Sequence, residues 1–348
     1  MHAGASVEAV RGTPRAGREH GMASDEDLER VARRYWLDRV RMEDIAVEEG
    51  ISRSTVSRML DAARALGIVT VSVNSVHGRA ASMAGELGHR YGVTARVVAV
   101  PDDAPDVARL QLVADRTAAV LDEAMGDGMT LGLAWGTTTS AVGQHLRARP
   151  LRDAHVVQLN GAMNTHSSGL GYGSDVLGRF GTAWDAQVHH FPVPAFFDRP
   201  ETRQAMWRER SVRRVLGIQQ SADVALFGVG AVAGAVPSRV WAEGYLTHAD
   251  RADLAAASVV GDVCTVFLRG DGSWEGIPIN ARTSGLVPPA LRRIPRRVCA
   301  VSGVNKVTAL AAALAGGLVT DLVLDERTAS ALLLRRTAPR PAPALWSR

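Results

Sequence analysis

The sequence predicts an α/β protein in two parts: an N-terminal winged helix-turn-helix and a larger domain on a mostly parallel sheet. Three observations predict it. Residues 42–60 read as two short helices joined by a tight turn, and a strand-like run follows them. From about residue 93, apolar runs of strand length alternate with helical periodicities, the pattern of a parallel sheet covered on both faces. The length, 348 residues of which 46% are hydrophobic, suffices for two domains with a sizeable core.

In order along the chain, residues 1–22 mix Gly, Pro, Arg and Ala without period and read as a disordered tail. The helix-turn-helix unit is expected over 23–75. Ser24 is an N-cap candidate ahead of Asp25, Glu26 and Asp27, and Leu28, Val31, Ala32 and Tyr35 give the first helix its inner face. Ile45 and Ala46 fall on the inner face of the second helix. Gly50 stands where the chain must reverse, because a residue without Cβ tolerates positive φ. Ser52 can cap the third helix through its hydroxyl, and Val56, Met59, Leu60 and Ala63 form its buried stripe. Gly67-Ile68-Val69-Thr70-Val71-Ser72-Val73 alternates like a strand and would serve as the wing.

A linker helix is expected over 76–92, with Met83, Leu87 and Tyr91 on one face and Gly92 at its end. The second domain, 93–336, is expected to carry strands near 93–100, 129–135, 154–159, 224–229, 263–268, 297–301 and 318–324. Helices are expected near 107–125, 137–149, 174–186, 202–219, 249–257, 306–315 and 325–335. The end, 337–348, holds three prolines and reads as a loose tail.

The third helix leaves Ser52, Arg53, Ser54, Thr55, Ser57 and Arg58 on its outer side. That face suits a DNA groove: Arg forks onto guanine or phosphate, and short hydroxyls bond phosphate oxygens. A polar helical hairpin with no partner is the structural alternative. Charge supports DNA only locally. Residues 1–74 hold 11 arginines against 12 acids, with Glu43, Asp44, Glu48 and Glu49 clustered before the turn; 52–65 carries Arg53, Arg58 and Arg64 against Asp61 alone.

The net charge of +4 excludes little by itself. No apolar run approaches the ~20 residues of a membrane span, and the N-terminus shows no apolar signal region. Cys264 and Cys299 lie in apolar runs and are expected to pack as small hydrophobes. A cytoplasmic protein without membrane partner, cofactor or metal site is expected. His189-His190 has no acid or cysteine at ligand spacing and reads as structural.

Ligands of open α/β sheets gather beyond the carboxyl ends of the strands. Trp135-Gly136-Thr137-Thr138-Thr139 is such a strand end, with three hydroxyls at a helix N-terminus whose free N–H groups favour anions. A plain helix cap is the structural alternative. Asn160 and Gly161, Gly228-Val229-Gly230, Gly261-Asp262 and Ser302-Gly303-Val304-Asn305-Lys306 converge on the same edge if the sheet is parallel. Of the 40 basic residues all but Lys306 are arginine, so a lysine here suggests that a compact ammonium is wanted.

These segments together resemble the SorC family of bacterial transcriptional regulators, sometimes grouped with DeoR-type sugar-responsive repressors, over about residues 25–335. The resemblance rests on Asp44-Ile45-Ala46 through Arg58, then Gly132 to Thr138, Val156 to Gly161, Gly228-Val229-Gly230 and Gly244-Tyr245-Leu246. It continues through Gly261-Asp262-Val263-Cys264, Asp271-Gly272, Ser302-Gly303 to Lys306, and Leu324 to Ala329. Ser302-Gly303 stands where the family usually has paired glycines. The resemblance implies an effector domain related to sugar-phosphate isomerases and deaminases, binding a sugar, polyol or sugar phosphate, in homodimers or homotetramers on a palindromic double-stranded operator. It implies that Gly136, Thr137, Thr138 and Thr139 form an anion loop, that Lys306 meets the ligand, and that Asp262 accepts a ligand hydroxyl. The alternatives are a sugar-phosphate isomerase or deaminase with an appended DNA-binding domain, for which Asp262 is the only placed general base, and an architectural DNA-binding protein without effector.

Overall fold

A computed structural model describes residues 6–9, 24–72, 76–164, 168, 170–231, 238–242 and 244–335. The chain divides into two compact units, Met1–Arg79 and Ala80–Arg348.

In the first unit, strand β1 (Ser6–Ala9) precedes helices α1 (Asp25–Trp36), α2 (Met42–Glu49) and α3 (Arg53–Ala65), and strand β2 (Val69–Ser72) follows them. Two of the boundaries have a clear local cause. Ser24 and Asp27 cap α1 reciprocally, Ser24 Oγ accepting from the Asp27 amide while the Asp27 carboxylate accepts from the Ser24 amide. Helix α2 ends at Gly50, whose φ of +67° only glycine adopts freely. Open space surrounds the place of its missing Cβ, so the backbone turn, not crowding, asks for glycine. The three helices meet through Leu28, Val31, Ile45, Val56 and Leu60, all buried. Residues 6–9, expected in a structureless tail, instead pair antiparallel with β2, from Ser6 opposite Ser72 to Ala9 opposite Val69. The wing strand thus draws its partner from the chain's beginning, a long-range pairing that no local pattern announces. The rest of the expected tails, 1–5, 10–22 and 337–348, lies outside the described residues.

Helix α4 (Val76–Tyr91) spans the division between the units, and Met83, Leu87 and Tyr91 pack into the core of the second. There the chain runs through β3 (Thr94–Val98), α5 (Asp106–Ala124), β4 (Thr130–Leu133), α6 (Thr137–Gln144), β5 (His155–Gln158), α7 (Leu170–Trp184) and β6 (Gln187–His189). It continues with α8 (Pro200–Met206), α9 (Arg210–Gln220), β7 (Val224–Phe227), α10 (Arg239–Ala242) and α11 (His248–Ala256). Then come the pair β8 (Val259–Val263) and β9 (Val266–Arg269), α12 (Pro288–Leu291), β10 (Arg296–Val301), α13 (Val307–Ala315), β11 (Asp321–Asp325) and α14 (Glu326–Leu334).

Seven strands form one sheet in the order β3-β11-β10-β7-β4-β5-β6, every neighbouring pair parallel. Successive residues of a strand face opposite sides. Accordingly Val224, Leu226, Val298, Ala300 and Val323 join one apolar layer with α5, α6 and α7, while Ala225, Phe227, Cys299, Val301, Leu322 and Leu324 join the other with α4, α13 and α14. Burial on both faces is why these strands read as continuous apolar runs.

Two further expectations change. Residues 263–268 were expected to add a strand to the sheet; they belong to a separate antiparallel hairpin, β8–β9, turning at Cys264-Thr265. Both turn residues have positive φ, 50° and 64°, the conformation whose twist matches a two-residue hairpin. That turn normally uses Asn or Gly, so it left no mark in the sequence. Residues 202–219, expected as one helix, break into α8 and α9. Trp207 stands at the break, edge-on to Phe191 and Phe197 at 5.6 and 5.7 Å. Lys306 opens α13 as expected, standing as its N-cap where a 3-10 turn, Val304–Lys306, runs into the helix.

Candidate functional site

On the helix-turn-helix, Ser52, Arg53, Ser54, Ser57 and Arg58 are exposed, and Thr55 is half-buried. Their roles separate. Ser52 caps α3, its Oγ accepting from the Thr55 amide at 3.1 Å and lying 2.8 Å from Ser54 Oγ and 2.9 Å from Thr55 Oγ1. Arg53 pairs with Glu43 at 2.8 Å, both ends exposed, whereas Arg58 makes only a long contact of 3.4 Å to Thr55 Oγ1. The acids clustered on α2 are matched one by one: Glu43 by Arg53, Asp44 by Arg41, Glu48 by Arg34 and Glu49 by Arg30. Arg30 takes Glu49 with two hydrogen bonds, of 3.0 and 2.9 Å, and holds its carboxyl below the ordinary range. The acid cluster is therefore locally neutralised rather than left facing the recognition surface.

The second site follows from sheet topology. Neighbouring strands β4 and β7 send the chain in opposite directions, β4 towards β5 and β7 towards β10, so a crevice opens between their carboxyl ends. A cavity of about 60 Å³ lies there, room for a handful of water-sized groups. Seven of the eight effector residues expected from sequence line it: Gly136, Thr137, Thr138, Thr139, Asn160, Asp262 and Lys306.

The β4 end supplies the floor. Gly136 precedes α6 with nothing within 4 Å of where a Cβ would stand; Thr138 and Thr139 are buried and Thr137 is half-buried. Trp135 ties this loop to the next strand end, its indole N–H reaching the carbonyls of Asn160 at 3.2 Å and Gly161 at 2.9 Å. Asn160 is buried, and among the described residues its Oδ1 has no hydrogen-bond partner. Leaving such an acceptor unmade is costly, and a ligand hydroxyl or amine would satisfy it.

Gly161 is the exception. Its amide donates to Ser284 Oγ at 2.9 Å, and a Cβ there would stand 2.2 Å from the Val193 carbonyl oxygen. It is glycine for close packing between loops, and the cavity lies elsewhere.

Asp262 arrives from the hairpin, not from a strand end of the sheet. Its backbone pairs both ways with Gly230, at 2.9 and 3.1 Å, and its Oδ1 accepts from Trp241 Nε1 at 3.1 Å. A Cβ on Gly230 would stand 1.9 Å from that carboxylate, so Gly230 makes room for it. Burial pushes the Asp262 carboxyl up to about 6, against the Trp241 hydrogen bond and the charge of Lys306. Lys306 is displaced downward, again chiefly by burial. Neither side chain reaches the other within ion-pair distance. An acid and an ammonium thus share one cavity, and neither neutralises the other directly.

Behind Lys306 the loop is pinned: the Gly303 amide donates to Thr328 Oγ1 at 2.9 Å, and Asp325 caps α14 by accepting from the Thr328 amide at 2.9 Å. A smaller cavity of about 20 Å³ shares Thr137 and Lys306 and adds Asp106, Leu110, Ser302, Gly303 and Asn305. Sequence reasoning missed Ser238, Arg239, Cys264 and Thr265, which also line the main cavity. Arg239, over the Tyr172 ring at 3.6 Å, sits on a four-residue helix that carries no pattern.

Comparison with known proteins agrees with this architecture. A family described as "Putative sugar-binding domain" matches residues 77–334, beginning at α4. The Deoxyribonucleoside regulator of Bacillus subtilis (strain 168) is 30% identical over 305 residues, 87% of this chain and 96% of that protein. A domain of a possible sugar-binding transcriptional regulator from Arthrobacter aurescens TC1 superposes with a TM-score of 0.69 at 44% identity, covering 73% of this chain and 97% of that one. The full-length Sorbitol Operon Regulator SorC from Klebsiella pneumoniae superposes with a TM-score of 0.70 over 89% of this chain and 99% of its own, at 23% identity, a likeness of fold. The chain belongs to the SorC-like family of transcriptional regulators that carry this sugar-binding domain.

Proposed function

We propose that this protein is a transcriptional regulator of carbohydrate metabolism whose operator affinity is switched by a sugar, polyol or sugar phosphate. One observation carries the effector reading. A cavity at the sheet's switch point brings together an unpartnered buried amide oxygen, a carboxylate, an ammonium and a helix N-terminus. In this reading Asp262 and Asn160 accept hydrogen bonds from ligand hydroxyls, Lys306 meets an oxygen or an anionic group, and the α6 amides with Thr137, Thr138 and Thr139 take an anion. The exposed face of α3 reads the operator. Relatives named as a transcriptional regulator and as an operon regulator support this, as does the helix-turn-helix geometry.

Homodimers or homotetramers on a palindromic operator fit the reading, since a two-fold operator mirrors a two-fold protein. Among the described residues no helix is long and apolar enough to cross a membrane, and action on DNA, in this reading, supports a cytoplasmic location. Catalysis is not part of the reading. Asp262, the only carboxylate lining the main cavity among the described residues, has one oxygen engaged by Trp241, and no histidine lines that cavity. A thermal-shift screen over sugars, polyols and their phosphates tests the effector class, because a ligand at 100 times its Kd stabilises by about 2.7 kcal/mol. No hit across the panel sinks the effector reading, and turnover of a hit would favour the enzyme.

A further inference from the structure

The described part of the helix-turn-helix unit, 24–72, holds eight arginines against ten acids, and five of those arginines are engaged by carboxylates on α1 and α2 or, for Arg53, by Glu43. Affinity for duplex DNA rests largely on cations that neutralise phosphates. Among its described residues this unit has few to offer.

A stretch rich in uncompensated positive charge lies in the second unit. Residues 199–214 hold six arginines against Glu201 and Glu209. Arg203 is occupied, its guanidinium over Trp207 at 5.0 Å. Arg210, Arg213 and Arg214 fall at i, i+3 and i+4 on the outer side of α9, and Gly217 extends that face without a side chain. All three are exposed, as is Arg208 just before them, and none of the four side chains bonds or pairs with a described residue. The opposite side of α9 is anchored: Val212 packs with Phe191, Val193 and Phe197, and buried Gln219 donates to the Gln158 carbonyl at 2.7 Å. The stripe is therefore held on a fixed support. Its field is felt next door: His189 is displaced below the ordinary imidazole range, by burial first, then by His155 and by Arg214.

We propose that the outer face of α9, Arg210, Arg213 and Arg214 with Arg208, is a sequence-independent contact for the phosphate backbone of duplex DNA, carried by the effector unit. The partner follows from charge: a row of guanidiniums on adjacent turns of an anchored helix complements a polyanion with repeating charge, and in the proposed function the regulator acts on one. The inference rests on the operator-binding reading, and the test separates the two. The full-length chain first selects its preferred duplex from a randomised-oligonucleotide pool; if nothing is selected, both readings fall.

On the selected duplex, with flanking DNA, affinity is then measured across a salt series for wild type and for the triple variant Arg210→Gln, Arg213→Gln, Arg214→Gln. The variant is expected to bind about tenfold or more weakly at low salt, with a log–log salt slope shallower by roughly 2 to 3, about 0.9 per lost phosphate contact, and with its sequence preference unchanged. Equal slopes and affinities in a variant that melts like wild type overturn the contact and leave the operator reading standing. If the variant misfolds, wild type on the bare selected site against the same site with flanks decides it. A steeper slope with flanks supports the contact, and identical slopes overturn it.

Discussion

At the scale of single residues, Asp262 and Lys306 carry the largest consequences. Between about pH 3.8 and 6 the native state holds a proton on Asp262 that the unfolded chain, with an ordinary carboxylate near 3.8, has already lost. That contribution to stability is full below about 3.8 and disappears as pH rises through about 6, because the folded protein must then bury a charge. Asp262→Asn removes the penalty while its amide oxygen can still accept from Trp241. The variant should melt above wild type at pH 7, by at most about 3 kcal/mol, and the gap should close towards pH 4. Parallel melting curves across that range would show that the carboxyl is not held as described. Lys306→Ala should leave operator affinity intact and abolish the effector's influence on it. Calorimetry giving wild-type effector affinity for this variant would remove Lys306 from the site. Both residues stood out in the sequence, Lys306 by being the sole lysine among arginines. Arg239 did not, because nothing local distinguishes it from the other arginines.

Among elements, helix α3 divides its face between capping and reading. Ser52→Ala should cost about 1 kcal/mol of stability in the first unit, since the Thr55 amide loses its acceptor. Arg58→Ala should cost ~1–3 kcal/mol of operator discrimination if its guanidinium forks onto a base, with the fold unchanged. An identical binding isotherm for Arg58→Ala would move recognition off α3. Arg53 starts from an ion pair with Glu43 and must exchange it to reach DNA, so its truncation is expected to cost less. The helices of this unit were legible because caps, turn glycine and apolar spacing are all local. Pairing of β1 with β2 was not, because it joins segments some sixty residues apart. The β8–β9 hairpin escaped for a different reason: its turn is made by Cys264 and Thr265, residues that rarely adopt positive φ. Gly161 shows the same limit from the other side. Gly161→Ala should destabilise by at least ~1–3 kcal/mol through collision with the Val193 and Pro194 carbonyls, not through lost ligand contacts. Unaltered melting with weakened effector binding would reverse that assignment.

For the whole molecule the proposed function is a coupling between two sites, and such coupling is reciprocal. By whatever factor an effector changes the operator Kd, the operator must change the effector Kd. Titrating effector into free protein and into the protein–DNA complex measures the second factor. A mismatch between the two would mean that the ligand does not act through this equilibrium. The amino-acid order alone was enough to place a helix-turn-helix before a parallel α/β domain, and to nominate seven residues that share one cavity. It could do so because helix caps, turn glycines and the burial of parallel strands leave their mark within a few neighbouring residues. The strand order, the crevice between β4 and β7, the arrival of Asp262 from outside the sheet and the packing role of Gly161 were decided by tertiary structure alone. Each depends on which distant segments come together, a choice made by burying apolar faces over the whole chain, of which a local stretch holds only its own part.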